Sequence, residues 1–97
     1  MENISLFRKI QGLCDNEPRM VQISVRTQKS PENFLLIYEG ELNHEINSIF
    51  DRYIDGYVFF LAKLKVKFYY ERDGKLFDDE ETLYWMSGEF TFNFDSL

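Results

Sequence analysis

The most distinctive candidate for chemistry in this sequence is a run of four consecutive carboxylates: Asp78, Asp79, Glu80 and Glu81. Residues 76–97 contain six carboxylates and no lysine or arginine, whereas residues 1–75 contain eleven acids and eleven bases. The formal net charge of −6 therefore lies in the C-terminal quarter of the chain. Negative charge gathered in this way is suited to binding a positively charged surface.

Catalysis is not expected, because an acid–base or nucleophilic mechanism needs its groups within hydrogen-bond distance of each other. The chain has one histidine, His44, and one cysteine, Cys14, and these fall in different predicted elements with no local motif joining them. We expect His44 to be a solvated residue near a helix start. Cys14 is expected to be a small buried hydrophobic residue, the alternative being a reactive or intermolecular thiol. The sequence therefore predicts a protein that is not an enzyme.

The sequence also lacks the spacing of a metal or phosphate site. It contains no HxxxH or CxxC motif and no calcium loop, and none of its five glycines belongs to a phosphate-binding loop. We therefore predict no bound metal and no cofactor. The only basic stripe, Lys63, Lys65 and Lys67, has the spacing of the solvated face of a strand, so direct nucleic-acid binding is not expected.

Length and composition predict a single globular domain over residues 1–97. Ten Phe, six Tyr and one Trp stand against a single Ala, so aromatic rings fill the core or an interface. The most apolar window, Tyr57–Ala62, is far shorter than a membrane span, and the N-terminus lacks a signal peptide. Together with the single cysteine, these features predict a cytoplasmic protein without membrane contact.

Two stretches have the spacing of amphipathic helices. Apolar residues recur every three or four positions from about residue 3 to residue 14, with Asn3 as the expected N-cap. Asn43 is the expected cap of the second helix, with Glu45 in its first turn. The apolar stripe of that helix comprises Ile46, Ile49, Phe50, Tyr53, Ile54 and Tyr57. We expect it to end before Gly56, although the pattern also fits a helix that continues to about Leu61.

Three stretches have the patterns of strands. Alternation predicts a half-buried strand over Val21–Arg26, and the apolar run at the start of Phe34–Glu39 predicts a strand covered on both faces. From Val58 to Tyr70 every even position is apolar, while three odd positions are the lysines named above. This period predicts a long strand with one core face and one charged face. A tight turn follows, with Gly74 supplying a positive φ.

The last segment fits two structures. Asp78 followed by Glu81 resembles a helix start, which would give a short helix Asp79–Met86. The aromatic and β-branched content favours instead a hairpin of Thr82–Met86 and Glu89–Phe94, and this is the structure that we expect. The predicted order is then α-β-β-α-β-β-β, an α+β fold with two helices packed on a mainly antiparallel sheet.

The acidic C-terminal segment also carries rings, which are typical anchors of protein interfaces. In an extended segment the charges repeat every 3.3 Å or so, close to the roughly 3.4 Å charge spacing of one DNA strand. We therefore expect contacts to a basic protein that evolved to bind nucleic acid. A solvated face with no partner is the alternative. The candidate contact residues are Asp78, Asp79, Glu80, Glu81, Tyr84, Trp85, Glu89 and Asp95.

In size, acidity and absence of catalytic residues, the chain resembles the small immunity proteins of bacterial toxin systems, including contact-dependent growth inhibition. The resemblance implies an inhibitor that binds and occludes a nuclease toxin in the cytoplasm, and it assigns no individual residue. Phage-encoded nucleic-acid mimics that inhibit host nucleases are the second class that it resembles. A self-associating structural or accessory subunit is a third interpretation, in which the ring-rich C-terminal strands pair across a two-fold axis to form a homodimer.

Overall fold

The computed structural model describes residues 5–14, 19–27, 30–54, 61–86 and 88–92. Two helices and five strands follow one another in the predicted order α-β-β-α-β-β-β, which confirms the α+β class. The elements are α1 (Leu6–Leu13), β1 (Met20–Thr27), β2 (Ser30–Glu41), α2 (Glu45–Ile54), β3 (Ala62–Arg72), β4 (Lys75–Met86) and β5 (Glu89–Phe92).

The strands form one antiparallel sheet in the order β2-β1-β3-β4-β5. β1 lies between β2 and β3 and is antiparallel to both, so β2 and β3 run in the same direction. Parallel strands cannot be joined by a tight turn, and here α2 makes the crossover between them. The chain therefore passes from the edge of the sheet to its centre through α2.

The core lies between the two helices and one face of the sheet. In β3 the even positions Ala62, Leu64, Val66 and Phe68 are buried, as the period of two predicted. They belong to one cluster with residues of α1 and α2, including Phe50. The odd positions of β3 point the other way. We call that side of the sheet the open face, because no helix among the described residues packs on it.

The first helix begins later than the sequence predicted. Its N-cap is Ser5, whose Oγ accepts a hydrogen bond from the Arg8 N–H at 3.2 Å, so the expectation that Asn3 is the cap was wrong. Serine satisfies one of the free N–H groups of the first turn from this position. At the same end of the helix, Asn47 of α2 accepts a hydrogen bond from the Phe7 N–H at 2.9 Å. Cys14 is buried, as expected of a small hydrophobic residue.

The second strand was predicted to be covered on both faces, and this was wrong. β2 is longer than expected and forms an edge of the sheet. A register shift pairs Ile23 with Tyr38 but Ser24 with Leu36, so Ile37 is an extra residue on β2. The bulge turns Ile37 and Tyr38 toward the core while Leu36 stays exposed on the open face.

The connection from β2 to α2 is held by hydrogen bonds of two side chains. Asn43 caps α2 as predicted, because its Oδ1 accepts from the Glu45 N–H at 2.8 Å. The Tyr38 hydroxyl donates to the Glu41 carbonyl oxygen. Burial, the Glu45 carboxylate and then the Glu41 carboxylate raise the pKa of Tyr38, and a hydrogen bond with Asn43 lowers it in part. α2 is described as far as Ile54, and the residues that decide where it ends, 55–60, lie outside the described part.

The C-terminal segment is a hairpin, so the helical alternative over Asp79–Met86 was wrong. β4 begins at Lys75, well before the expected Thr82, and places the whole acidic run in a strand. A two-residue loop joins β3 to β4, with φ values of 54° at Asp73 and 75° at Gly74. Positive φ at both positions is the geometry of a type I′ turn, which matches the twist of the strands that it joins.

Trp85 is expected to be a large contributor to stability. The side chain is buried between α2 and the sheet, with its ring centroid 6.3 Å from that of Phe50 in an edge-to-face arrangement. Replacement of Trp85 by Ala should lower the free energy of unfolding by about 3–5 kcal/mol, because it removes a core ring. Urea denaturation measures the change. Tyr84→Ala is the control, because Tyr84 is half-buried and lies on the opposite face of the same strand. It should lower the free energy of unfolding by clearly less. Equal decreases for the two variants would contradict the assignment of Trp85 to the core.

Candidate interaction surface

The hairpin of β3 and β4 extends beyond the rest of the sheet. The pairing of β1 with β3 ends at Met20 and Tyr69, whereas β3 and β4 continue to pair as far as Arg72 and Lys75. We call residues 70–81 the acidic arm, because this stretch contains six acids and two bases. Residues 70–77 form its projecting end, while the carboxylates at 78–81 lie beside the part of β3 that pairs with β1. The net charge of the arm, −4 over twelve residues, is two-thirds of the formal charge of the whole chain.

The four consecutive carboxylates are all exposed, but strand alternation divides them between two faces. Asp78 and Glu80 pair with Tyr69 and Lys67 and share their side of the sheet, the open face. Asp79 and Glu81 instead pair with Phe68 and Val66 and lie on the side that carries the helices. Carboxylates on one face are therefore about 6.6–6.8 Å apart along the strand, twice the spacing that the sequence predicted for the whole run. A partner meets all four only if it approaches the arm from its edge.

The four carboxylates are exposed without direct partners. Within the part of the chain that the structure describes, none of the four takes part in an ion pair or a side-chain hydrogen bond. Lys67 lies opposite Glu80 in the register, while two other lysines of β3 lie over rings: Lys65 Nζ is 4.3 Å from the ring centroid of Phe34, and Lys63 Nζ is 5.8 Å from that of Tyr84. The acidic arm thus presents net negative charge to solvent.

The other predicted contact residues that the structure describes are buried, half-buried or distant from the arm. Trp85 is buried in the core, so it is not available as an anchor on the surface. Tyr84 is half-buried on the open face, where it pairs with Lys63 on one side and Thr91 on the other. Glu89 is exposed at the start of β5, away from the arm. Asp95 lies outside the described residues.

Two apolar residues of the arm were missed by the sequence analysis. Leu76 is 76% exposed and Phe77 39% exposed, directly after the type I′ turn. The ring of Phe77 stacks on that of Tyr70 across the hairpin, with centroids 5.4 Å apart and planes 17° apart. The Arg19 guanidinium carbon also lies over the Tyr70 ring, 4.5 Å from its centroid. The signal in the sequence was the apolar pair between the turn and the acidic run.

A depression of about 280 Å³ lies between the helices and the C-terminal strands, and its lining includes Asn47, Phe50, Asp51 and Trp85. Cys14 is buried while His44 is exposed, with the His44 ring centroid 3.8 Å from that of Phe7. Among the described residues, no group of three or more His, Cys, Asp or Glu side chains could hold a metal ion.

No helix in the described ranges is long and apolar enough to cross a membrane.

Comparison of the chain with protein-family models, with curated proteins and with solved structures gives no match. Its function must therefore be inferred from its own residues, among which the acidic arm is the most unusual surface.

Neutralising the four carboxylates should leave the fold intact. We expect the variant with Asn at 78 and 79 and Gln at 80 and 81 to unfold at the same or a slightly higher urea concentration, because each surface change alters stability by about 0.5 kcal/mol or less. The gain should be largest at low salt, where the like charges of the native strand repel most strongly. Urea denaturation in low and high sodium chloride measures both effects. A loss of about 2 kcal/mol or more would instead show that the carboxylates hold the hairpin together.

Proposed function

We propose that this protein is an inhibitor that binds a basic protein through the acidic arm, and that the partner is a nuclease toxin. The protein would then act as an immunity protein, without catalysis, in the bacterial cytoplasm. The observation that carries this proposal is the combination, on one hairpin, of exposed carboxylates without direct ion pairs and of exposed apolar side chains at its projecting end.

The charge of the arm favours a partner that normally binds nucleic acid. Such proteins neutralise phosphates with lysine and arginine, and their binding clefts therefore attract negative charge. An arm of net charge −4 would be drawn to the same cleft by long-range electrostatic attraction. Steering of this kind raises the association rate more than it raises affinity. Rapid capture is what an inhibitor of a toxic enzyme needs.

The apolar end of the arm supplies what charge alone does not, namely slow dissociation. Interfaces depend on a few apolar anchors that become fully buried, surrounded by polar residues. Leu76 and Phe77 are exposed in the free protein and adjoin the carboxylates. Because Phe77 already stacks on Tyr70, its ring loses little conformational freedom on binding. The arm thus combines a row of carboxylates with one exposed apolar side chain on each face of its end, of which Phe77 is held in place by Tyr70.

A phage-type inhibitor of a host nuclease would use the same surface. Along the edge of β4 the carboxylates at 78–81 follow one another at about the spacing of phosphates on one DNA strand. The two proposals share their mechanism and differ only in the source of the nuclease. The identity of the bound protein distinguishes them.

The purified protein should inhibit a nuclease at a one-to-one molar ratio and have no nuclease activity of its own. The partner to test first is the product of the gene adjacent to the one that encodes this chain, because toxin and immunity genes are expected to lie together. Titration of a DNA or RNA cleavage assay gives the stoichiometry, and calorimetry gives the affinity. A neighbouring nuclease that binds the protein but continues to cleave would contradict inhibition.

Charge and packing should affect different rate constants of that complex. Neutralising the carboxylates at 78–81 should slow association and weaken its dependence on salt, because screening acts on exposed charge. Leu76→Ala together with Phe77→Ala should speed dissociation by about 30-fold or more, the equivalent of about 2 kcal/mol. Surface plasmon resonance at several salt concentrations measures both rates.

Leu36→Ala is the matched control for the apolar change, because Leu36 is similarly exposed but lies on β2. It should leave both rate constants unaltered. If Leu36→Ala weakens the complex while the changes in the arm do not, the partner binds the opposite edge of the sheet.

A further inference from the structure

The open face carries a row of cations beside a row of carboxylates. Lys63, Lys65 and Lys67 belong to β3, and Asp78 and Glu80 belong to the adjacent strand β4. The register places Lys67 opposite Glu80 and Tyr69 opposite Asp78. Lys67 and Glu80 are therefore the one pair of opposite charges at a matched height among these residues, since Lys65 lies opposite Thr82 and Lys63 opposite Tyr84. This pair can be formed between two copies as well as within one.

We propose that the open face binds a second copy of this chain. The two-fold axis would run parallel to the strands, between β3 and β4, and would lay β3 of each copy over β4 of the other. A rotation about this axis preserves height along the strands, so each in-register pair within one chain recurs between the chains. Lys67 of each copy then faces Glu80 of the second copy, and Tyr69 faces Asp78. Aligned sheets pack with strand directions within about 30°, which this arrangement satisfies.

Apolar side chains at both ends of the β4 row support the same arrangement. Leu76 and Met86 lie on the open face at the two ends of β4 and are 76% and 44% exposed. Between them Tyr84 lies half-buried, with Lys63 Nζ 5.8 Å from its ring centroid. A second copy would cover both ends and would keep Lys67 of one chain against Glu80 of the other. Exposed apolar side chains that adjoin polar ones are common features of interfaces.

The area is that of a weak dimer. Only β3 and β4 run the whole length from Lys63 to Glu71, because β1 pairs with β3 no farther than Tyr69 and β5 has four residues. Two strands about 4.8 Å apart and nine residues long at about 3.3 Å per residue, with the short overlap of β1 and β5, would cover about 300–400 Å² of each copy. Stable specific interfaces cover about 1,000 Å² or more in total, so this contact belongs to the weak, transient class. The dimer does not depend on the proposed function, but it would use Asp78 and Glu80, so dimerisation and binding of a basic protein would compete.

Charge reversal in the two rows tests the dimer. Sedimentation velocity and light scattering should give the wild-type chain a mass that approaches twice 11.7 kDa as its concentration rises, and added salt should lower that mass. Lys67→Glu alone and Glu80→Lys alone should each remain monomeric, because like charges would then meet twice across the two-fold axis. Arg8→Glu and Asp51→Lys make the same changes of charge on exposed helix positions and should dimerise like the wild type.

Mixing the two single variants distinguishes the contact of residue 67 with residue 80 between chains from the contact of the same two residues within one chain. Each variant keeps a like-charged pair within its own sheet, which mixing cannot repair. An equimolar mixture should nevertheless form a heterodimer, because both contacts between the chains then join opposite charges. The double variant with both changes should form a homodimer again.

The dimer is overturned by any of three results: a wild-type mass of 11.7 kDa at every concentration up to the millimolar range, unaltered dimerisation of Lys67→Glu, or a mixture that stays monomeric. Circular dichroism confirms that each variant is folded before its mass is measured. If the dimer fails while one-to-one inhibition of a nuclease persists, the proposed function stands without it.

Discussion

The alternation of side chains along β3 is the constraint on which the rest of the structure depends. β3 is the central strand and pairs with both β1 and β4. The direction of its side chains therefore determines which side chains of β1 and β4 lie on each face of the sheet. Burial of Leu64, Val66 and Phe68 beneath the helices forces the lysines between them onto the open face. A slip by one residue would bury those lysines in a core whose described residues include no buried polar or charged side chain. The register of β4, and with it the direction of each carboxylate, follows from this strand.

The features that were predicted correctly are those that depend on local pattern. The period of two in β3, the cap at Asn43 and the turn at Gly74 each follow from a few neighbouring residues. The features that were missed depend on pairing with distant residues. β2 is an edge strand because of its place in the sheet, which an apolar run does not reveal. The acidic run has low strand propensity, and it is extended because β3 supplies its hydrogen-bond partners.

The candidate surface also has features that local pattern predicted and features that it did not. The composition of the C-terminal quarter revealed the charge of the arm. The sequence did not reveal that Trp85 points into the core while Tyr84 points away from it. Leu76 and Phe77 gained importance only because the hairpin continues beyond the end of β1. Because side chains alternate along β4, adjacent carboxylates point to opposite faces of the sheet. Asp78 and Glu80 face the proposed second copy, and Asp79 and Glu81 remain on the other side. Under the two proposals, a single short segment would take part in two kinds of association.

The type I′ turn at Asp73 and Gly74 has a consequence for the order in which the chain folds. β3 and β4 are joined by two residues, so bringing them together costs little loop-closure entropy, and hairpins of this kind form in about 1–10 μs. The pairing of β1 with β3 must instead close a loop that contains β2 and α2. We therefore expect the hairpin to form first, with its apolar face exposed until the helices pack on it. The charged side chains on both strands, lysines on β3 and carboxylates on β4, are of the kind that disfavours stray pairing between strands of different chains during that interval.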